Sequence, residues 1–249
     1  MAESTYNGAP STIVQGEAPT AQHALRDDVL AAAVVARLAH DRRTEQLALD
    51  VAVSGGVAHV TGSVPSEADR ELVRGAVRDV NGVLAAWDLV ALDGNGELAV
   101  ADIGCGGKKQ LPRAIGVDAV QQPGVDVVAN LDEGLPFADA SLDHVFAVHV
   151  LEHVGDMVAA MAELHRVLKP TGVLHVLCPY WRHVNAAADP THVRAIDPLT
   201  FRWFCDPARP DIPPWRPLCV TGTADTVHAD LQPLAAAGAD SAAIARWFA

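Results

Sequence analysis

Residues Leu98 to Gly107 read LAVADIGCGG, an apolar run that meets an acid, Asp102, and then a loop of small residues. An apolar stretch of this length reads as a buried strand. The glycines after it, Gly104, Gly106 and Gly107, let the backbone turn sharply and approach a ligand where a Cβ would not fit. Glycine-rich turns are common, so this reading depends on the residues found at fixed distances downstream. Ala114 to Val117 is a second short strand, and it ends in Asp118. An acid at that point of a doubly wound sheet accepts hydrogen bonds from ribose hydroxyls. Val125 to Ala129 is a third strand, followed by Asn130, Leu131 and Asp132. Asp143 to Val150 is a fourth, opening into a helix from Glu152 to Lys169, which Pro170-Thr171-Gly172 ends before a fifth strand, Val173 to Cys178. A nicotinamide fingerprint would need glycine at position 109, where Lys109 stands.

Taken in order, VADIGCGG, GVD, NLDEGLPFADASLDHVFAVHVLEHV and ELHRVLKPTGVLHVLCPYW resemble the successive motifs of class I S-adenosylmethionine-dependent methyltransferases, over about residues 97–181. The resemblance implies an α/β fold for 97–249, a doubly wound Rossmann-like sheet that is mostly parallel with its last strand antiparallel, and S-adenosyl-L-methionine as cofactor. Asp102 and the backbone of Gly104, Cys105 and Gly106 would hold the methionine part, Asp118 the ribose, and Asn130, Leu131 and Asp132 the adenine. His149 would lie near the methyl group. Leu218 to Thr221 and Thr226 to Leu231 would form the family's last antiparallel hairpin, with a short helix from Ser241 to the end. One departure is visible: Lys108 stands where the family carries a glycine, and only Lys108 to Arg113 separate the loop from the next strand. The first helix is therefore expected to be a turn or so, broken near Pro112.

Ahead of this unit the pattern changes. Asp27 to His40 has helical spacing, Leu47 to Val53 alternates as a strand, Gly55-Gly56 makes a hairpin turn and Val57 to Val64 returns. Ser66 caps a helix running to Asp79, and Gly82 to Leu92 is a third strand. This order, with GGVAHVTGSVPSEADRELVRGAVRDVNGV, resembles the BON domain, a small α+β module, over 24–92. In that family the module is associated with phospholipid or protein contacts. Seven basic against ten acidic residues here favour oligomerisation or partner binding over lipid, and make a homo-oligomer through this module the reading. The module is expected to be dispensable for cofactor binding. Asp93-Gly94-Asn95-Gly96 reads as a linker, and residues 1–22, without periodicity, as a mobile tail.

With 18 basic and 31 acidic side chains the 249-residue chain carries a net charge of −13, which repels phosphate backbones and anionic lipid and argues against nucleic acid or membrane as partner. No apolar run reaches membrane-spanning length and the first residues lack an export signal, so a cytoplasmic protein is expected. Its four cysteines are too far apart for a CxxC metal site and read as reduced thiols.

Methyl transfer is an in-line displacement that needs alignment and exclusion of water, and a base only where the acceptor loses a proton. His149, His183, Asp189 and His192 are the candidates for that role. The segment after the fifth strand, rich in proline, holds Tyr180, Trp181, Arg182, Asn185 and Arg194, the expected wall for a small polar acceptor. No HExxH-like spacing occurs, and His153 reads as a packing or capping residue, so no metal is assigned. Two other readings stay open: a cofactor-binding fold kept as a scaffold or regulator, and an enzyme that cyclises or cleaves the cofactor.

Overall fold

The computed structural model describes residues 21–206, 209, 212–234 and 248. Most of the expected tail and the helix expected from Ser241 lie outside these residues.

The first unit is α1 (Ala21–Ala39), β1 (Leu49–Ser54), β2 (Val57–Val64), α2 (Glu67–Arg78) and β3 (Ala85–Leu92). Gly55 and Gly56 take φ of 58° and 80°, which is what a two-residue hairpin requires. The Asp27 carboxylate accepts their N–H groups at 2.8 and 3.0 Å, pinning α1 to the turn. Ser66 caps α2 by accepting from Asp69 N. The sheet order is β1-β2-β3, with β1 antiparallel and β3 parallel to β2. Val34, Leu38, Val60, Val73, Val77 and Val90 form the core between this sheet and its two helices.

The second unit holds β4 (Val100–Ile103), β5 (Ile115–Asp118), β6 (Val127–Val128), β7 (Leu142–Val148), β8 (Leu168–Pro179), β9 (Trp215–Gly222) and β10 (Thr226–Pro233). Their order is β6-β5-β4-β7-β8-β10-β9, and the pairing is parallel up to β8. β10 runs antiparallel to both neighbours, as the sequence led one to expect of the last strand. The chain moves outward from β4 through β6 and then returns to β7, so the direction of winding reverses between β4 and β7. In open α/β sheets a ligand crevice forms at that reversal, beyond the carboxyl ends of the strands.

Several expected boundaries shift. The helix expected at Glu152 is α3 (Met157–Val167), because Asp156 caps it through Val158 N and Ala159 N and the preceding residues form a loop. It ends at Leu168, and Pro170-Thr171-Gly172 continue directly into the long strand β8 rather than breaking the chain. Gly172 fits there because a Cβ would meet Leu142 O and Asp143 O at 3.0 and 2.9 Å. Between β4 and β5 there is no helix at all. The remaining helices are short, α4 (Asn185–Ala188) and α5 (Pro198–Phe204). No helix among the described residues is long and apolar enough to cross a membrane.

One face of the large sheet packs on α3 and α5 through Met157, Met161, Leu164, Phe201 and Trp215. The other face receives β3 of the first unit: Trp87 meets Phe146 edge-on at 4.8 Å and lies 5.8 Å from His175, within an apolar cluster that includes Leu89, Val100 and Ala114. Polar pins cross the same seam. Asp230 accepts from Ala86 N at 3.3 Å and pairs with His175 Nδ1 at 2.8 Å, and Cys219 Sγ donates to Leu84 O. Beside it, buried Asp88 pairs with buried Arg74 at 2.7 Å. The small sheet thus covers a surface that helices cover in an ordinary doubly wound domain.

Candidate functional site

Asp102 lies in β4, buried, with Oδ2 accepting from Gln110 N at 2.5 Å. Burial pushes its carboxyl up to about 6 against that hydrogen bond and the nearby Lys109. Gly104 comes next in the loop with φ +65°, and a Cβ there would sit 2.5 Å from Val150 Cγ2. Gly106 also has positive φ, but a Cβ there would meet nothing nearer than the Gln122 amide at 3.8 Å. Where a helix would usually begin, the chain doubles back and is fastened by Lys109. Its ammonium donates to Ala114 O at 2.8 Å and to Asp126, whose Oδ2 also accepts from Gly116 N at 2.8 Å. Gly116 is held between this loop and the β5–β6 connection so closely that a Cβ would lie 2.9 Å from Cys105 Sγ and 2.2 Å from Gly124 O. Cys105 is a small buried residue in the loop, its thiol pushed up by burial with Asp102 and Asp118 nearby.

At the end of β5, Asp118 Oδ2 accepts from Gly106 N at 2.9 Å and Oδ1 from Val120 N at 3.0 Å. Each carboxylate oxygen has two acceptor directions, so one on each stays available. Asn130 caps the single 3-10 turn Leu131–Glu133, and Leu131 is buried beneath it. The two oxygens of Asp132 accept from Gly155 N at 3.0 Å and Asp156 N at 3.1 Å, so this acid holds the loop before α3.

His149 stands at the carboxyl end of β7 with φ 56°, one of two non-glycine residues in the left-handed region among the described residues. Such conformations cost energy and gather at functional sites. Its Nδ1 is 3.2 Å from Glu152 Oε1. Glu152 is 2% exposed, yet its other oxygen, Oε2, is buried without a hydrogen-bond partner. Burial raises this carboxyl, but hydrogen bonds from His149, its own backbone N–H and the Cys178 thiol, with the charge of His149, together bring it below its usual range, so it stays ionised. The residues His149 to Gly155 are strapped by the segment after β8. Val193 N donates to Glu152 O at 2.9 Å, and Arg194 Nη2 donates to Val154 O and to Gly155 O. His153 Nδ1 lies 3.0 Å from Thr191 Oγ1 and 3.3 Å from Thr191 O.

The same segment builds an outer wall. Trp181 Nε1 donates to Asp197 at 2.8 Å, and the Arg182 guanidinium lies 5.0 Å from the Trp181 ring centre and 5.9 Å from that of Tyr180. Asn185 N donates to His183 Nδ1 at 3.3 Å. His192 donates from Nδ1 to Ala186 O at 3.1 Å, and its Nε2 is 3.9 Å from Asp189. Thr191 donates twice to Asp189 and holds that carboxyl below its usual range. Trp181, Val184, Val193, Leu199 and Trp203 are all exposed apolar residues of this one segment.

Among the expected catalytic residues, the structure joins His192 to Asp189 and to His153, whose ring it meets edge-on at 4.7 Å. His149 pairs instead with Glu152, and His183 sits apart, close to Asp225. Sequence reasoning passed over Glu152; the signal was an acid between two histidines in HVLEH.

A family model described as a methyltransferase domain matches residues 101–176, and a BON domain model matches 26–91. An uncharacterized 37.1 kDa protein in transposon TN4556 of Streptomyces fradiae is 33% identical over 115 residues, 37% of this chain and 33% of that protein. The chain thus spans about one third of that curated relative. Similar solved structures include the complex between the Haloferax volcanii Trm112 methyltransferase activator and a putative methyltransferase (17% identity, 55% of this chain and 83% of that one, TM-score 0.43). Another is a SAM-dependent methyltransferase from Aquifex aeolicus (15% identity, 55% and 82%, TM-score 0.44). S-adenosylmethionine is the cofactor that a domain of this family implies.

Proposed function

We propose, with residues 101–176 a methyltransferase domain and 26–91 a BON domain as the premise, that the chain transfers a methyl group from S-adenosylmethionine to a small polar acceptor. The observation that carries this reading is the pairing of Asp118 with Gly106 across the mouth of two neighbouring parallel strands. It sets a carboxylate with spare acceptor capacity beside an open glycine loop at the winding reversal.

When bound, the cofactor supplies an electrophilic methyl group on a sulfonium. Asp118 would accept from ribose hydroxyls, the backbone of Gly104 to Gly106 would line the methionine part, and Asp102 would supply negative charge. Leu131 and Asn130 would border the adenine, while Asp132 keeps the adjoining loop in place. The ionised Glu152 can only accept, so His149 carries its proton on Nδ1 and leaves Nε2 free to take one from the acceptor. Arg182, Tyr180, Trp181 and Asn185 would meet the acceptor, with Arg182 suited to a carboxylate or phosphate. The Arg194 fork, in contrast, is engaged on backbone carbonyls. The BON domain, by covering the second face of the sheet, acts first as part of this unit's structure.

The test is mass spectrometry of a metabolite mixture incubated with the full chain and S-adenosylmethionine. An acceptor heavier by one methylene, with S-adenosylhomocysteine released in equal amount, supports the proposal. Cofactor consumption without a methylated product would point to its cleavage or cyclisation, and no consumption to a scaffold.

A further inference from the structure

We propose that Glu152, His153 and His192 bind a divalent transition-metal ion of the zinc class. One potential ligand atom from each residue lies within 4.8 Å of the others. Around a tetrahedral ion with bonds of about 2.1 Å the ligand atoms stand about 3.4 Å apart, so small side-chain rotations close the site.

Three features of the surroundings select this reading over a polar cluster formed by chance. The first is Glu152 Oε2, buried outside hydrogen-bond geometry with any donor, the weak Cys178 thiol being the other polar group beside this carboxyl. Leaving an ionised oxygen unpaired in the interior is costly, and a cation would satisfy it. The second is the tautomer each histidine must adopt. His192 Nδ1 faces Ala186 O at 3.1 Å and His153 Nδ1 faces Thr191 O at 3.3 Å. A carbonyl only accepts, so both Nδ1 atoms carry protons and both Nε2 atoms present lone pairs. Metal-binding histidines are oriented by the same kind of outer hydrogen bond. The third is that Glu152 Oε1 is itself held, by His149 Nδ1 at 3.2 Å, which fixes the orientation of the carboxylate. Each of the three ligands is therefore positioned by a second group.

Two imidazoles and one carboxylate suit zinc, cobalt, manganese or iron; calcium would require six or more oxygen ligands. Asp189, 3.9 Å from His192 Nε2, is placed to approach as a fourth ligand or to bind a metal-held water. An ion with an open position beside His149 would lower the pKa of an acceptor hydroxyl bound there.

The test uses the full chain, stripped with a chelator and without S-adenosylmethionine, so its outcome is independent of methyl transfer. Titration with Co2+ is followed by visible d–d absorption, and Zn2+ displacement by calorimetry. The expected result is one equivalent bound, with affinity at least tenfold weaker in His192→Ala and in Glu152→Gln, and unchanged in His40→Ala, which alters an exposed histidine at the end of α1. Circular dichroism identifies any variant that fails to fold, and His192→Ala, in the irregular segment after β8, is the decisive one. No d–d band, or equal affinity in wild type and His192→Ala, would overturn the proposal.

Discussion

Asp118 Oδ2 accepts a hydrogen bond from Gly106 N at 2.9 Å, so the end of β5 holds the loop that leaves β4. The acid has two tasks at once: it fixes the glycine loop in its positive-φ course, and it keeps acceptor capacity for a ligand hydroxyl.

Asp118→Ala removes both. Hydrogen bonds to a charged group are worth about 1.5–3 kcal/mol each, so S-adenosylmethionine affinity measured by calorimetry should fall at least tenfold. Affinity equal to wild type would take Asp118 out of the site.

Burial lifts the Asp102 carboxyl to about 6 from 3.8. In the free protein, the folded state then holds a proton that the unfolded state has lost between those values. The group's contribution to stability is complete below about 3.8 and is lost as pH rises through about 6. A cationic ligand needs the ionised form, so cofactor binding should strengthen as pH rises through about 6, and be about tenfold weaker at pH 5 than at its plateau. Calorimetry across this range should show that slope in wild type, and a flat profile in Asp102→Asn.

Trp87 ties the two sheets together, buried against Phe146 and His175. Trp87→Ala should cost about 3–5 kcal/mol in denaturant unfolding. Because the seam is buried and shared, the wild-type transition should be single by both fluorescence and circular dichroism, and a chain starting at Asp93 should expose Phe146 and aggregate. Two separated transitions, or a stable fragment that binds cofactor, would show the first unit to be an independent attachment.

Arg182 and Arg194 should behave differently. Arg194 Nη2 donates to backbone carbonyls of the loop before α3, a loop that also holds Asp132. Arg194→Ala should therefore weaken cofactor binding and turnover together. Arg182 lies over aromatic rings on the outer wall, so Arg182→Ala should raise the acceptor KM with cofactor affinity within about threefold, a change of under ~0.7 kcal/mol.

The first strands of the large sheet were legible because they are short apolar runs closed by a glycine or an acid, as in Val100 to Gly104 and Ile115 to Asp118. The start of α3 was not, because apolar spacing continues through Leu151 and Val154 while Asp156 supplies the actual cap. Lys109 was visible as a departure from a glycine pattern. Its use as a clamp on Ala114 O and Asp126 depends on a loop course that spacing does not encode. β3 is buried on both faces, and AAWDLVAL, apolar except for Asp88, carries that signal, yet nothing in it names Phe146 as the partner. His192 is 39 positions beyond His153, and only the strap after β8 returns it to Glu152.

Amide hydrogen exchange of the full chain with and without S-adenosylmethionine tests the central claim most directly. Binding at the carboxyl ends of β4, β5 and β6 predicts slowed exchange at Ile103 to Gly107, at Asp118 to Val120 and around Leu131, with α1 and α2 of the first unit unchanged. No protection at saturating cofactor, or protection confined to residues outside 102–156, would contradict it.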